Sequence, residues 1–363
     1  MQRKLVLCIH SLAGGGAERV LAGMANHWAV HGNRVTVITL ANVADDVYPL
    51  DATIERIGLD LMQDSAHPLA AIKNTWRRVR ALRRAIQACD ADRIISFIDK
   101  MNVLVLLATR GMAEPVIVCE RTDPRHHELG TVWSTLRRWN YPRCSAAVVQ
   151  TSAVRDFVQR LVRQRPVHVI PNGVSPSEDS GFQSPDSTER VCVVLGRLSP
   201  EKGIDLFLEA VARITDQHPN WRFEIYGEGR SRSQLEEMIS QQGLSRVTLR
   251  GWTDDPQRAL SAADLFVLPS RIEGFPNALL EAMACGLAVV SFACDSGPDQ
   301  IIEHDVNGLL VPPQDSGAMS AAMDRLMSDD KHRARLSGRA KEVARRFSMD
   351  EFFDQWEAVL GAE

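Results

Sequence analysis

The sequence predicts an α/β protein made of two doubly wound parallel-sheet domains. Short β-rich apolar runs alternate with helical patterns along the whole chain, which is the signature of parallel strands covered on both faces. The runs fall into two series, separated by a stretch dense in Pro, Ser, Gly and Asp. At 363 residues the chain is also too long for one ordinary core and suits two.

Taken in order, the first series reads LVLCI, VTVITL, IISFI, VIVCE and AAVVQT, and the second VCVVL, RFEIYG, VTLRG, LFVLP and AVVSF. Between them "IPNGVSPSEDSGFQSPDSTER" reads as an interdomain linker. A last strand-like piece, GLLVPP, precedes three helical patterns. The final one, MDEFFDQWEAVL, carries apolar residues at helical spacing and must bury a face, so it is expected to pack back on the first domain. The expected boundaries are 1–172, 173–348 and a terminal helix over 349–363. The two domains are expected to face a central cleft, with ligands at the carboxyl ends of the strands.

Composition narrows the function. With 42 Lys and Arg against 46 Asp and Glu the chain is slightly acidic, so a whole-protein attraction to nucleic acid or anionic lipid is not expected and any basic surface must be local. The cysteines number seven, without C-x-x-C spacing, and read as reduced buried thiols of a cytoplasmic protein. The opening MQRKLVLCIHSLAGGG has a basic start and an apolar run too short for a signal peptide, so a first strand is expected there. No stretch approaches the roughly 18 uninterrupted apolar residues of a membrane-spanning helix. A soluble or membrane-peripheral protein is expected.

Three strand ends carry chemistry. In "SLAGGGAERV", Gly14, Gly15 and Gly16 open a helix and would let backbone N–H groups approach a phosphate. A tight turn explains them equally well, because Arg19 breaks the G-x-G-x-x-G pattern. In "LGRLSPEKGIDLFLEA", Gly196 lets the chain turn, Ser199-Pro200 reads as a helix cap, and Arg197 and Lys202 project near a helix start. Two cations at a positive helix end suit a diphosphate, Arg as a fork and Lys as a point charge. In "RIEGFPNALLEAMACG", Glu273 stands on a loop before a helix beginning near Asn277, and Glu281 about one turn deeper. Carboxylates there can accept from sugar hydroxyls, one from a transferred sugar and one from a ribose.

One segment departs from the acidic whole. In "PLAAIKNTWRRVRALRRAIQAC" a helix would gather Leu69, Ile72, Trp76, Val79, Leu82 and Ile86 into an apolar arc, with Lys73, Arg77, Arg80 and Arg84 in an adjoining stripe. Such a helix suits an anionic membrane surface or a lipid-linked diphosphate. A solvated basic face is the plainer alternative.

The motifs G-G-A-E-R, G-R-L-x-x-E-K-G and E-G-F-P-N-A-L-L-E-A-M-A-C-G, followed by "SGPDQIIEHDVNGLLVPP", resemble those of retaining glycosyltransferases of family 4, with the GT-B architecture. GGAER, ISFID and YPRC are similar to segments of bacterial N-acetylgalactosaminyl and hexosyl transferases that extend lipid-linked glycans. The resemblance implies a UDP-sugar donor held mainly by the second domain. Arg197 and Lys202 would hold the diphosphate, Glu273 the transferred sugar, Glu281 the ribose, and the backbone of Gly274, Phe275, Pro276 and Asn277 further phosphate and sugar contacts. "YGEGR", with Gly227 and Gly229, and "RGW", with Trp252, match segments around the base. Gly15 and Gly16 would also face the donor, while Glu120 and Arg121 of "CERTDP", together with the basic helix, would face the acceptor. Many members have a His where Arg121 stands, so a proton-transferring His is not expected. His126 and His127 read as surface loop residues.

No metal or other cofactor is expected. Asp90-Ala91-Asp92 has the spacing of a metal-binding D-x-D but precedes its strand, so it reads as a turn at the wrong edge of the sheet. Two other functions share these features: a GT-B enzyme that is not a transferase, such as a nucleotide-sugar 2-epimerase, and a transferase with a soluble acceptor. A nucleic-acid partner is not expected, since the basic stripe lacks interleaved aromatics.

Overall fold

The computed structural model describes residues 2–63, 67–125, 129–177 and 189–362. The linker lies largely outside these residues, as do His126 and His127. The chain forms two compact units, one of residues 1–170 with 355–363 and one of residues 171–354.

In the first unit the order is β1 (Lys4–Ile9), α1 (Gly16–Val30), β2 (Arg34–Thr39), β3 (Glu55–Gly58), α2 (Pro68–Cys89), β4 (Arg93–Phe97), α3 (Asp99–Ala108), β5 (Val116–Cys119), α4 (Gly130–Asn140), β6 (Ala146–Val149), α5 (Ser152–Val162) and β7 (Val167–Val169). All strand pairs are parallel, in the order β3-β2-β1-β4-β5-β6-β7. The helices after β3 pack one core against the sheet through Leu82, Ile86, Leu104, Leu106 and Val158. On alternate positions of β1, Leu5 and Leu7 are also sealed, at 1% and 0% exposure, as period-2 side-chain geometry requires of a sheet buried on both faces. Two of these strands, β3 and β7, are not predicted from the sequence. They are short edge strands of half-buried residues, so they lack the apolar run that marks the central ones.

The second unit contains β8 (Arg190–Leu195), α6 (Ile204–Ile214), β9 (Trp221–Tyr226), α7 (Arg232–Gln241), β10 (Val247–Gly251), α8 (Pro256–Ser261), β11 (Leu265–Leu268), α9 (Asn277–Ala284), β12 (Ala288–Phe292), α10 (Pro298–Ile301) and β13 (Leu309–Val311). Four helices then follow rather than three: α11 (Ser316–Ser328), α12 (Asp330–Ala340), the single turn α13 (Val343–Arg346) and α14 (Met349–Gly361). Its sheet is parallel in the order β10-β9-β8-β11-β12-β13. Cys192, Val194, Leu265 and Val267 face one core, and Val191, Val193, Phe266 and Leu268 the other.

The division between units falls two residues before the expected boundary and again inside α14. Up to Asp354 this helix counts with the second unit, where Met349 and Phe352 pack beneath Gly173. From Gln355 it counts with the first. There Trp356 meets Trp28 edge-on at 6.0 Å, and Glu357 accepts from Trp28 Nε1 at 3.0 Å and from Arg3 at 2.5 Å. Among the described residues no helix is long and apolar enough to cross a membrane.

Candidate active site

In each sheet the strand order reverses once, between β1 and β4 and between β8 and β11, and at such a switch point adjacent loops diverge and leave a crevice. In the second unit the loops that part there are Gly196–Gly203 and Pro269–Pro276, which carry the cations and the acid singled out above.

Lys202 sits in a 3₁₀ turn, Pro200–Lys202, closed by Gly203 in the left-handed region at φ +63°. The Ser199 side chain does not cap this turn, contrary to expectation, and α6 proper begins only at Ile204. The Lys202 ammonium lies 2.6 Å from Glu273 Oε1. The Ser270 hydroxyl donates to the same oxygen at 2.6 Å, and the Ser296 hydroxyl donates to the Glu273 main-chain carbonyl at 2.6 Å. Glu273 is therefore held by three donors while only 8% exposed. Arg197 is exposed on the adjoining turn, with no carboxylate within ion-pair distance among the described residues. Neither the N-cap residue of α6 nor that of α9 supplies a side-chain cap, and in α6 the backbone N–H groups of Asp205 and Leu206 turn to the Asp205 carboxylate instead.

Backbone pairing fastens the neighbouring loops. Gly196 N donates to Tyr226 O at 3.0 Å, Leu198 N to Glu228 O at 2.9 Å and Gly227 N to Gly251 O at 2.7 Å. A Cβ on Gly227 would overlap the Gly196 carbonyl, and one on Gly229 the Leu198 carbonyl, so the YGEGR segment can lie this close only with glycine. Trp252 follows β10 with half its surface free. Phe275 and Pro276 are buried, Gly274 and Asn277 half-buried, and Glu281 stands half-buried one turn into α9. Asn277 also accepts a hydrogen bond from Asn172. Sequence reasoning missed Ser270, Ser296 and the Arg271–Asp205 pair. Ser270 lies three residues before Glu273, a local signal; Ser296 becomes adjacent only through the fold.

The remaining expected site residues lie in the first unit. Gly15 and Gly16 open α1, but the Glu18 carboxylate lies against Gly15, close enough to overlap an added Cβ, and 3.6 Å from His10. A phosphate at this helix end would meet that like charge. Glu120, 2% exposed, accepts from the Tyr141 hydroxyl at 2.5 Å. Burial and this carboxylate push the Tyr141 phenol well above its ordinary value. Arg121 stacks over Phe97 at 4.4 Å, and burial pushes its guanidinium down to about 10. Both residues are set into the wall of the unit. Asp90 and Asp92 pair with the Lys4 ammonium and Lys4 N–H at 2.6 and 2.7 Å, at the amino edge of β1 and β4.

The apolar arc of α2 divides, contrary to expectation. Val79, Leu82 and Ile86 are core, whereas Leu69, Ile72 and Trp76 are 80%, 57% and 61% exposed. A helix of 22 residues runs about 33 Å, and only its later turns meet the core. Arg78 and Arg83 serve as clips, donating to the carbonyls of Leu61 and Gln63 and of Ala108 and Arg110. Lys73, Arg77, Arg80 and Arg84 are exposed and have no hydrogen-bond or ion-pair partner among the described residues.

Two parallel doubly wound units, the second with cations and an acid at its switch point, define the GT-B class of transferase folds. Staphylococcus aureus TarM, solved with UDP, Fondaparinux and alpha-GlcNAc-glycerol, matches 99% of this chain and all of its own at a TM-score of 0.82 and 16% identity. The chain belongs to the family 4 glycosyltransferases: residues 14–178 match the family described as Glycosyltransferase Family 4, and residues 177–343 that described as Glycosyl transferases group 1. The "GalNAc-alpha-(1->4)-GalNAc-alpha-(1->3)-diNAcBac-PP-undecaprenol alpha-1,4-N-acetyl-D-galactosaminyltransferase" of Campylobacter jejuni is 26% identical over 97% of both chains. The lipopolysaccharide core biosynthesis glycosyltransferase LpsE of Rhizobium meliloti is 30% identical over 62% of this chain and 67% of its own.

Proposed function

We propose that this glycosyltransferase moves an N-acetylhexosamine or hexose, with retention, from a UDP-sugar to a glycan carried on a polyprenyl diphosphate. The observation that carries the donor half is the contact of Lys202 with Glu273, beside Arg197, at the switch point of the second unit. Lys202 and Arg197 take the diphosphate and stabilise the charge that develops as it leaves; preorganised stabilisation of this kind contributes more to catalysis than any other single effect in most enzymes. Glu273 accepts from hydroxyls of the transferred sugar and fixes its orientation. Glu281 accepts from the ribose, and Trp252 flanks the base. These cations supply the charge a metal would supply, so transfer proceeds without added divalent ion.

The acceptor half rests on α2. Its exposed Leu69, Ile72 and Trp76 adjoin four unpartnered cations, a combination suited to an anionic membrane and to the diphosphate of a lipid-linked glycan. The Campylobacter relative is named for an undecaprenyl-diphosphate acceptor and a GalNAc donor, which supports the same class here. The enzyme works peripherally on the cytoplasmic face of the membrane.

A screen of UDP- and GDP-sugars for protection against thermal unfolding identifies the donor, because a ligand of the native state raises stability with its concentration. UDP-N-acetylgalactosamine is expected to protect. Product analysis with donor and no acceptor separates a transferase from a 2-epimerase: an epimerised sugar would overturn the proposal.

A further inference from the structure

Among the described residues no hydrogen bond or ion pair joins the Arg271 side chain to Lys202 or Glu273, yet it joins the segments that carry them. Its guanidinium grips Asp205, in the first turn of α6, as a fork at 2.7 and 2.6 Å. The same side chain donates to the Pro200 carbonyl at 2.8 Å, and its backbone N–H donates to the Glu201 carbonyl at 2.9 Å. Pro200 and Glu201 form the turn that ends in Lys202, and Arg271 lies on the loop that carries Glu273. The two segments meet again at Gly203, where a Cβ would overlap the Pro269 carbonyl oxygen. Partial burial pushes the Asp205 carboxyl up, but the hydrogen bonds and charge of Arg271, together with the backbone N–H groups of Asp205 and Leu206, hold the group below its ordinary range.

A bidentate fork fixes distance and angle together, which a point charge does not. Lys202 and Glu273 act on different parts of one donor, the diphosphate and the sugar, so transfer depends on their relative placement as well as on their presence. We propose that Arg271 is a positioning residue for donor transfer, locking the Lys202 turn to the Glu273 loop through Asp205 and the Pro200 and Glu201 carbonyls. The proposal rests on the donor-site reading above.

The test compares Arg271→Ala, Asp205→Asn and the double variant with wild type. Transfer is read as UDP released from UDP-N-acetylgalactosamine with an undecaprenyl-diphosphate-linked glycan, and UDP affinity by calorimetry. Each single variant should lose about tenfold or more in kcat through misplacement alone, with UDP Kd within about threefold of wild type. The double variant should be no worse than either single, since both break one linkage. Arg271→Lys keeps the charge without the fork and should recover little. Calorimetry needs no acceptor for a second readout: the affinity advantage of UDP-N-acetylgalactosamine over UDP should shrink in all three. Unchanged kcat and unchanged sugar advantage in variants still folded by circular dichroism would overturn the role, as would a kcat loss matched by an equal loss of UDP affinity. Wild-type transfer by Lys202→Ala and Glu273→Gln would instead show that the donor-site reading had failed.

Discussion

The ammonium of Lys202 lies 2.6 Å from Oε1 of Glu273, on the loops that part where the strand order of the second unit reverses. The cation proposed to hold the donor diphosphate and the acid proposed to hold the transferred sugar are thus each other's partners. A diphosphate reaching Lys202 competes with Glu273 for the same ammonium.

Arg197→Ala and Lys202→Ala should each lower transfer roughly 10²-fold, the scale of losing one preorganised charge contact. Their stabilities should differ. Arg197 is exposed, so its removal should stay within about 0.5 kcal/mol of wild type. Lys202→Ala strands a carboxylate only 8% exposed and should cost about 1 kcal/mol, recovered on adding Glu273→Gln. Thermal melts of the three variants check this; equal melting points for Arg197→Ala and Lys202→Ala would sink it.

Glu273→Gln should impair transfer while binding UDP at least as tightly as wild type, because Lys202 loses its internal competitor. Glu281→Gln should do the reverse, weakening UDP binding through the ribose. Calorimetry with UDP decides the assignment, and an exchange of the two phenotypes would reverse the roles.

Replacing Lys73, Arg77 and Arg80 together by Gln should weaken binding to anionic liposomes by roughly two orders of magnitude, since each basic residue near such a surface contributes about 1 kcal/mol. The remaining binding should depend less on salt, because the attraction removed is the screened part. Trp76→Ser should weaken sedimentation without that change in salt dependence, since it removes apolar contact. Wild-type sedimentation of both variants would leave the face merely solvated.

Asp305 gathers His332 at 2.7 Å, Arg335 at 2.8 Å and Arg325 at 3.4 Å, and these partners, His332 foremost, hold its carboxyl down to about 2. A carboxyl depressed in the folded state contributes stability that is complete above its ordinary pKa near 4 and is lost as pH falls toward 2. Asp305→Asn should therefore melt below wild type at pH 7, with the gap closing between about pH 4 and 2. A gap independent of pH would refute this account.

All seven cysteines are buried, and burial pushes the thiols of Cys119, Cys144 and Cys294 up to about 12. Since the thiolate is the reacting form, the native protein should show no fast-reacting thiol with a disulfide reagent at pH 8, and all seven in denaturant. A rapid native equivalent would place one of them at the surface.

Much of the fold was legible because central parallel strands are sealed on both faces and must be written as unbroken apolar runs. Strands β3 and β7 escaped because an edge strand needs no such run. In the candidate site Arg197 announced itself by standing just past an apolar strand, and Lys202 and Glu273 by standing on strand-end loops just before a helix. Ser296 did not, because its contact with Glu273 crosses 23 residues and a whole strand. On α2 periodicity placed every apolar residue on one arc, but could not say where the core stops. Leu69, Ile72 and Trp76 differ from Leu82 and Ile86 only in what lies opposite them.

By itself the sequence determined the two-unit α/β organisation, the strand-end motifs and the family, since each depends on local pattern: run length, turn chemistry and spacing along the chain. The tertiary structure alone decided that Lys202 and Glu273 are partners, that Arg271 ties their segments through Asp205, and that the α2 arc splits into a buried and an exposed half. Each of those depends on which loops and faces the order β10-β9-β8-β11-β12-β13, and its counterpart in the first unit, bring side by side. Separation in space is not periodic in sequence, so no local pattern can carry it.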